Sequence, residues 1–134
     1  MDAADPDDVV KVASGNYTDI HVRNSLTQVV YISKTVIIRG GYTTTNGFAD
    51  PPDRDASPTT LDAQGGGRVV AISGAGLTIE GLIIAGGGGY YSGGGVYVES
   101  ASPIIRNNRI VGNSAEGDGG AIFVNGGSAQ ILNN

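Results

Sequence analysis

The chain has no cysteine and no tryptophan, and only one histidine, one methionine and two phenylalanines in 134 residues. Without cysteine there is no disulfide and no thiolate metal site. Such a composition suits the cytosol and the many cysteine-free bacterial secreted proteins alike. Positive charge is scarce too: 8 Lys and Arg against 13 Asp and Glu leave a net charge of −5. A nucleic-acid partner needs a basic face and an anionic membrane needs a Lys/Arg cluster, so the sequence argues against both. The acidity itself serves solubility. No apolar run approaches the ~20 residues of a membrane helix, so no membrane insertion of this segment is expected. Met1 is followed at once by the acidic Asp2, Asp5, Asp7 and Asp8, which is not the pattern of a signal peptide.

What the chain has is glycine, 23 residues, well above the usual ~7% share. No Gly-X-Y period is present, which excludes collagen, and aliphatic runs such as Val29-Val30-Tyr31-Ile32 argue against disorder. Val, Ile, Thr and Tyr sit between Gly and Asn clusters, the composition of strands and turns.

The glycines are arranged in a repeat. Gly93-Gly94-Gly95-Val96-Tyr97-Val98 returns as Gly119-Gly120-Ala121-Ile122-Phe123-Val124, a shift of 26. The same shift links Val70, Val96 and Ile122, then Ile72, Val98 and Val124, then Ile79, Ile105 and Ile131. It also links Ile84 to Ile110 and Gly86 to Gly112. A period of this length signals a solenoid, in which no repeat buries its own apolar face. Three short strands per repeat, separated by Gly or Asn turns, predict an all-β, right-handed parallel β-helix of about five coils. Coils would stack at about 4.8 Å, giving a stub of about 25 Å.

One domain is expected over 1–134, with a cap and first coil at 1–28, a coil interrupted by an inserted loop at 29–68, and regular coils at 69–134. At the start, Val9 to Val12 reads as a strand ending in a Gly15-Asn16 turn, and Asn24-Ser25 marks a bend. The Pro-rich segment 42–58 cannot propagate a sheet. The chain stops inside a repeat, before the strand supplied earlier by Ile84 and Ile110, so the natural chain is expected to continue.

Because strand neighbours alternate faces, the aliphatic columns beginning at Val30, Ile32 and Ile38 should point inward. Between them Tyr31/Ala71/Tyr97/Phe123 and Arg39/Glu80/Arg106/Leu132 should point outward, the second as a ladder of opposite charges. Asn107 over Asn133, and Asn108 over Asn134, read as a structural ladder at a turn. Gly40 and Gly81 occupy the first of those columns earlier, which fits a position of positive φ. Asn108 follows Leu82 in register, so its amide is expected to turn inward and bond neighbouring coils.

At these residues the chain resembles known families. Ile110-Val111-Gly112-Asn113 followed by Gly119-Gly120-Ala121-Ile122 is similar to the FxxN and GGAI motifs of polymorphic outer-membrane proteins, with Ile110 in place of the usual Phe and Gly95 in place of Ala one repeat earlier. Thr60-Leu61-Asp62-Ala63-Gln64-Gly65 and Val12-Ala13-Ser14-Gly15-Asn16-Tyr17 resemble the opening coils of pectate-lyase-like β-helix proteins. The resemblance implies a fold that hosts lyases, hydrolases and adhesins, and an extracellular or bacterial cell-surface location. Pectate lyases use calcium-binding acidic residues and an Arg base on an outer sheet face. Here the outward column offers only Glu80 between Arg39 and Arg106, a carboxylate neutralised rather than free for calcium.

The sequence shows no catalytic constellation and no cofactor motif. His21 lacks a partner that would make it a general base and reads as a surface residue. Asp50, Asp53 and Asp55 are the calcium candidates, as carboxylates around two prolines without EF-hand spacing. Glu116 and Asp118 read as exposed in a wide turn, on the side of Asn113. Tyr90, Tyr91, Tyr97 and Phe123 are candidates for stacking a sugar, and Arg39, Glu80 and Arg106 complete the candidate ligand surface. The expected function is a non-catalytic surface scaffold or adhesin, with a host or cell-surface ligand. The alternative is a polysaccharide-binding or polysaccharide-degrading domain whose groove lies between the 42–58 loop and the Arg39 face. Self-association through the open last coil is expected in either case.

Overall fold

The computed structural model describes residues 5–74, 76–89 and 92–134. Among them are fourteen strands and one short 3-10 turn, Thr44–Asn46. The chain winds as a parallel β-solenoid of about five turns with a period of about 26 residues. The first coil holds β1 (Val9–Ala13), β2 (Gly15–Tyr17) and β3 (His21–Arg23). The second holds β4 (Leu26–Ile32), β5 (Ile37–Tyr42) and β6 (Thr59–Asp62). The third holds β7 (Arg68–Ser73), β8 (Thr78–Glu80) and β9 (Ile83–Ala85). The fourth holds β10 (Val96–Glu99), β11 (Ile104–Arg106) and β12 (Arg109–Val111), and β13 (Ile122–Asn125) and β14 (Gln130–Leu132) complete the strands.

Three sheets result. Sheet 1 runs β13-β10-β7-β4-β3, sheet 2 β1-β5-β8-β11-β14, and sheet 3 β12-β9-β6-β2. Strand pairing keeps the 26-residue register: Val70, Val96 and Ile122 lie side by side, as do Ile79, Ile105 and Ile131. The inward columns meet in one core, where Val70, Ile72, Ile79, Ile84, Val96, Val98 and Ile105 are buried. In the last coil the same columns are open, and Val124 and Ile131 are 36% and 49% exposed. The residue types explain the arrangement: β-branched side chains suit a pleated surface, and stacking like on like buries them against their counterparts.

Several details differ from the sequence reading. Gly15-Asn16 is not a turn but part of β2, which pairs with β6. The bend at Asn24-Ser25 is a two-residue hairpin with φ of 51° and 62°, the left-handed turn that matches strand twist. It sets β3 antiparallel to β4, so the first coil closes sheet 1 with a reversed strand. Tyr42 belongs to β5 and is buried at 1% exposure, so the insertion starts one residue later. The positive φ near the Gly40 column is carried by Gly41 (φ 91°), because β5 runs on through Gly40. Gly40 is needed for space instead: a Cβ there would sit 2.5 Å from the Gly81 carbonyl oxygen. Alternation also fails at one corner, where Val69 and Val70 are both in the core.

Candidate functional site

The outward column of sheet 2 is a charge ladder. Glu80 accepts from Arg39 Nε one coil before it through Oε1, and from Arg106 Nε one coil after it through Oε2 at 2.7 Å. The register sets them side by side: Arg39 pairs with Glu80 and Glu80 with Arg106. The Glu80 side chain is 5% exposed and that of Arg106 43%. Burial alone would raise the Glu80 carboxyl, but the hydrogen bonds from Arg39 and Arg106 outweigh it and hold the group below the usual carboxylate range. A carboxylate so held is a weak base and a poor calcium ligand.

The ladder extends further than the 26-residue shift reveals, because β1 places Lys11 beside Arg39. Lys11 Nζ donates to Asp50 Oδ2 at 2.7 Å, and the Tyr42 hydroxyl donates to Asp50 Oδ1 at 2.6 Å. The hydrogen bonds of Lys11 and Tyr42 lower the Asp50 carboxyl below its ordinary value. Hydrogen bonding to Tyr42, then to Glu80, raises the affinity of the Arg39 guanidinium for its proton. Five side chains from three sheet strands and the inserted loop thus form one alternating network reaching Glu80.

The calcium candidates do not converge. Asp50 is engaged as above, and Asp53 Oδ1 accepts the backbone N–H groups of Asp55 and Ala56, at 3.1 and 2.9 Å, fixing a local turn. Among the described residues no three His, Cys, Asp or Glu side chains come together as a metal site. His21 is exposed on β3. Glu116 and Asp118 are exposed, whereas Asn113 is half-buried.

The asparagines form the ladder that the repeat implies. Asn108 Oδ1 accepts the Leu82 N–H at 3.1 Å, and Asn108 Nδ2 donates to the Ile79 carbonyl at 3.1 Å and to Asn134 Oδ1 at 3.0 Å. Asn134 repeats the pattern one coil on, donating to Ile105 O at 2.8 Å. Asn107 and Asn133 take positive φ, 55° and 50°, at the turn that Gly81 makes with φ 71°. Asn113 is a second ladder member that the sequence reading left at the surface. It accepts from Gly87 N at 2.8 Å and donates to Ile84 O at 2.9 Å. Its 26-residue shift onto Gly87 was the available signal.

On sheet 1 Tyr97 and Phe123 stack with centroids 5.8 Å apart and planes 14° from parallel. The Arg68 guanidinium lies 4.4 Å from the Tyr97 centroid. Ring and guanidinium thus take up contact surface of Tyr97 that a stacked sugar would use. Tyr90 and Tyr91, also candidates for sugar stacking, lie outside the described residues.

The inserted loop does build a groove, although not against Arg39. Asp53 N bonds Gly41 O at 2.8 Å, and Arg54 lies over the turn column, with its Nη1 3.4 Å from Asn107 O. A Cβ on Gly81 would come within 2.7 Å of Arg54 Nε, so glycine makes room for it. Arg54, Asn107, Arg109 and Asn133 line a groove of about 560 Å3 between the loop and the edge of sheet 3. No helix among the described residues is long and apolar enough to cross a membrane. Comparison with protein-family models, with curated proteins and with solved structures found no match to this chain.

Proposed function

We propose that this chain is a non-catalytic β-helix scaffold of the adhesin type, extracellular or on a bacterial cell surface. On this reading it is a relative of the pectate-lyase-like β-helices, with repeats akin to those of polymorphic outer-membrane proteins. One observation carries it: the polar side chains best suited to chemistry are engaged in holding coils and loop in register. Glu80 bridges three coils, Asp50 ties the loop to Lys11 and Tyr42, and Asn108 and Asn113 cap backbone groups of the coil before them. The test is incubation with polygalacturonate, alongside adhesion of chain-coated beads to host and bacterial cells. Adhesion without release of unsaturated oligosaccharide is expected. Turnover that disappears in Arg106→Ala would overturn the reading.

The groove beneath Arg54 favours a second reading, a polysaccharide-binding domain. Two guanidiniums and a row of asparagine groups on one concave surface suit a hydroxyl-rich, acidic chain. A glycan array on which no acidic polysaccharide binds, or binds equally well to Arg54→Ala/Arg109→Ala, would dismiss it.

Self-association belongs to the same proposal. In the 134-residue chain β12, β13 and β14 are sheet edges, and Ile131 and Leu132 are 49% and 48% exposed. Such an edge templates further pairing, and the occupant proposed is the same edge of a second copy. Sedimentation equilibrium should show a dimer that Ile131→Lys dissociates. A monomer at millimolar concentration would refute it.

A further inference from the structure

The chain contains two Asn-Gly pairs, Asn46-Gly47 and Asn125-Gly126. Such a pair is open to attack on its own side-chain amide, because glycine leaves the following nitrogen unshielded and its backbone free to turn. The fold treats the two pairs differently. Asn46-Gly47 closes the short 3-10 turn, where the Gly47 N–H bonds Thr44 O at 3.2 Å and Asn46 Oδ1 accepts the Ala49 N–H at 3.3 Å. Both groups that would react are engaged.

Asn125-Gly126 lies at the end of β13, the outer strand of sheet 1. Both residues are exposed, and neither the Asn125 amide nor the Gly126 N–H has a partner among the described residues. The 26-residue register sets this apart from the coils before it. Ser100 N, one coil earlier, bonds Asn125 O at 2.9 Å, and Gly74 N, two coils earlier, bonds Glu99 O at 3.1 Å. Strand β13 is held by β10 along one side, and the end of such an edge strand opens at low cost.

We infer that Asn125 is a self-modification site, at which the chain converts its own amide to an acid. The Gly126 nitrogen attacks Asn125 Cγ. The new N–C bond forms as the Cγ–Nδ2 bond breaks, and ammonia leaves with the proton that Gly126 gives up. Water then opens the cyclic imide at either carbonyl, leaving aspartate or isoaspartate at position 125. Asn125 is the cross-strand partner of Glu99, so either product adds a carboxylate beside an existing one, and like charges facing across strands repel. Isoaspartate also reroutes the main chain through Cβ, at the residue whose carbonyl accepts the Ser100 N–H. The reaction therefore loosens the last coil from the one before it.

The test is incubation of the dilute 134-residue chain in mildly alkaline buffer, then proteolysis and mass spectrometry of the two Asn-Gly peptides. Asn125 should convert at least about tenfold faster than Asn46, since two hydrogen bonds guard Asn46-Gly47 and none guards Asn125-Gly126. In urea the two pairs should convert at like rates, because the fold and not the dipeptide separates them. Asn125→Gln, whose extra methylene spoils the ring, should lose the early conversion and leave the slow one at Asn46 unchanged. Asn125→Asp should speed hydrogen exchange at the Ser100 amide about two- to fivefold. Asn46 converting as fast as Asn125 in the folded chain would overturn the proposal, as would an Asn125 that converts only in urea. An unchanged Ser100 amide in Asn125→Asp would overturn the loosening of the coil.

Discussion

Arg106 Nε lies 2.7 Å from Glu80 Oε2 one coil away, and the other oxygen of the same carboxylate holds Arg39 of the preceding coil. One side chain therefore ties three successive turns of sheet 2. Glu80→Gln removes the charge but keeps the shape, leaving two guanidiniums adjacent and unneutralised. We expect a loss of about 1–3 kcal/mol in urea unfolding at neutral pH, the scale of hydrogen bonds to charged groups. A variant as stable as the parent would show that the clamp contributes nothing.

The same clamp sets an acid limit. The folded Glu80 and Asp50 carboxyls both lie below their ordinary values. A group depressed in the folded state adds stability above its unfolded pKa, about 4 for carboxylates, and loses it as pH falls through the folded value. Stability should therefore decline from about pH 4 downward, as those two groups take up protons. Glu80→Gln should flatten part of that decline. An unchanged acid limb would assign it to other carboxylates.

Asn108 and Asn113 should matter more than their position at turns suggests. Asn108→Ala leaves the Leu82 N–H without its acceptor and takes one donor from the Ile79 carbonyl, and Asn113→Ala does the same to Gly87 and Ile84. Each is expected to cost about 2–4 kcal/mol, with Asn108 the larger because it is the more buried. Hydrogen exchange should show the freed amides of Leu82 and Gly87 losing protection. If both amides stay protected in the variants, the ladder is not what holds them.

Glycine positions separate into those that matter and those that do not. A Cβ on Gly94 would collide with the Ser114 carbonyl oxygen, while one on Gly76 meets nothing within 4 Å. Gly94→Ala should block close stacking of the third and fourth coils and prevent cooperative folding. Gly76→Ala should leave the melting temperature unchanged or slightly raised. Thermal unfolding followed by circular dichroism distinguishes them, and equal behaviour would contradict the coil spacing.

The aromatic pair offers a smaller check. Phe123→Ala removes the ring stacked on Tyr97 and should cost about 1 kcal/mol beyond lost burial. The loss should be accompanied by a changed near-ultraviolet signal from Tyr97.

The sequence by itself determined the repeat, and through it most of the solenoid. A fixed shift of 26 residues places each side chain of the regular coils over its counterpart, so their inward columns, the Glu80–Arg106 pair and the Asn108 amides follow from counting, while Arg39 sits 41 residues before Glu80 because the inserted loop intervenes. Counting fails where the chain leaves the period. Lys11 joins the ladder through β1, upstream of the regular coils, and Tyr42 and Asp50 join it through the loop's return. The reversed hairpin at Asn24-Ser25 likewise depends on two backbone angles that no periodicity encodes. Only the tertiary structure could decide what lies inside the first coils. Aliphatic columns look the same on paper whether they meet or stand apart. The gap between Val12, Val30 and Ile79, and the buried Gln28 amide with neither atom bonded, appear only once the three sheets are closed. Register is a one-dimensional property that a sequence carries. Packing across the lumen depends on the distance between sheets, which is set by all of the coils together.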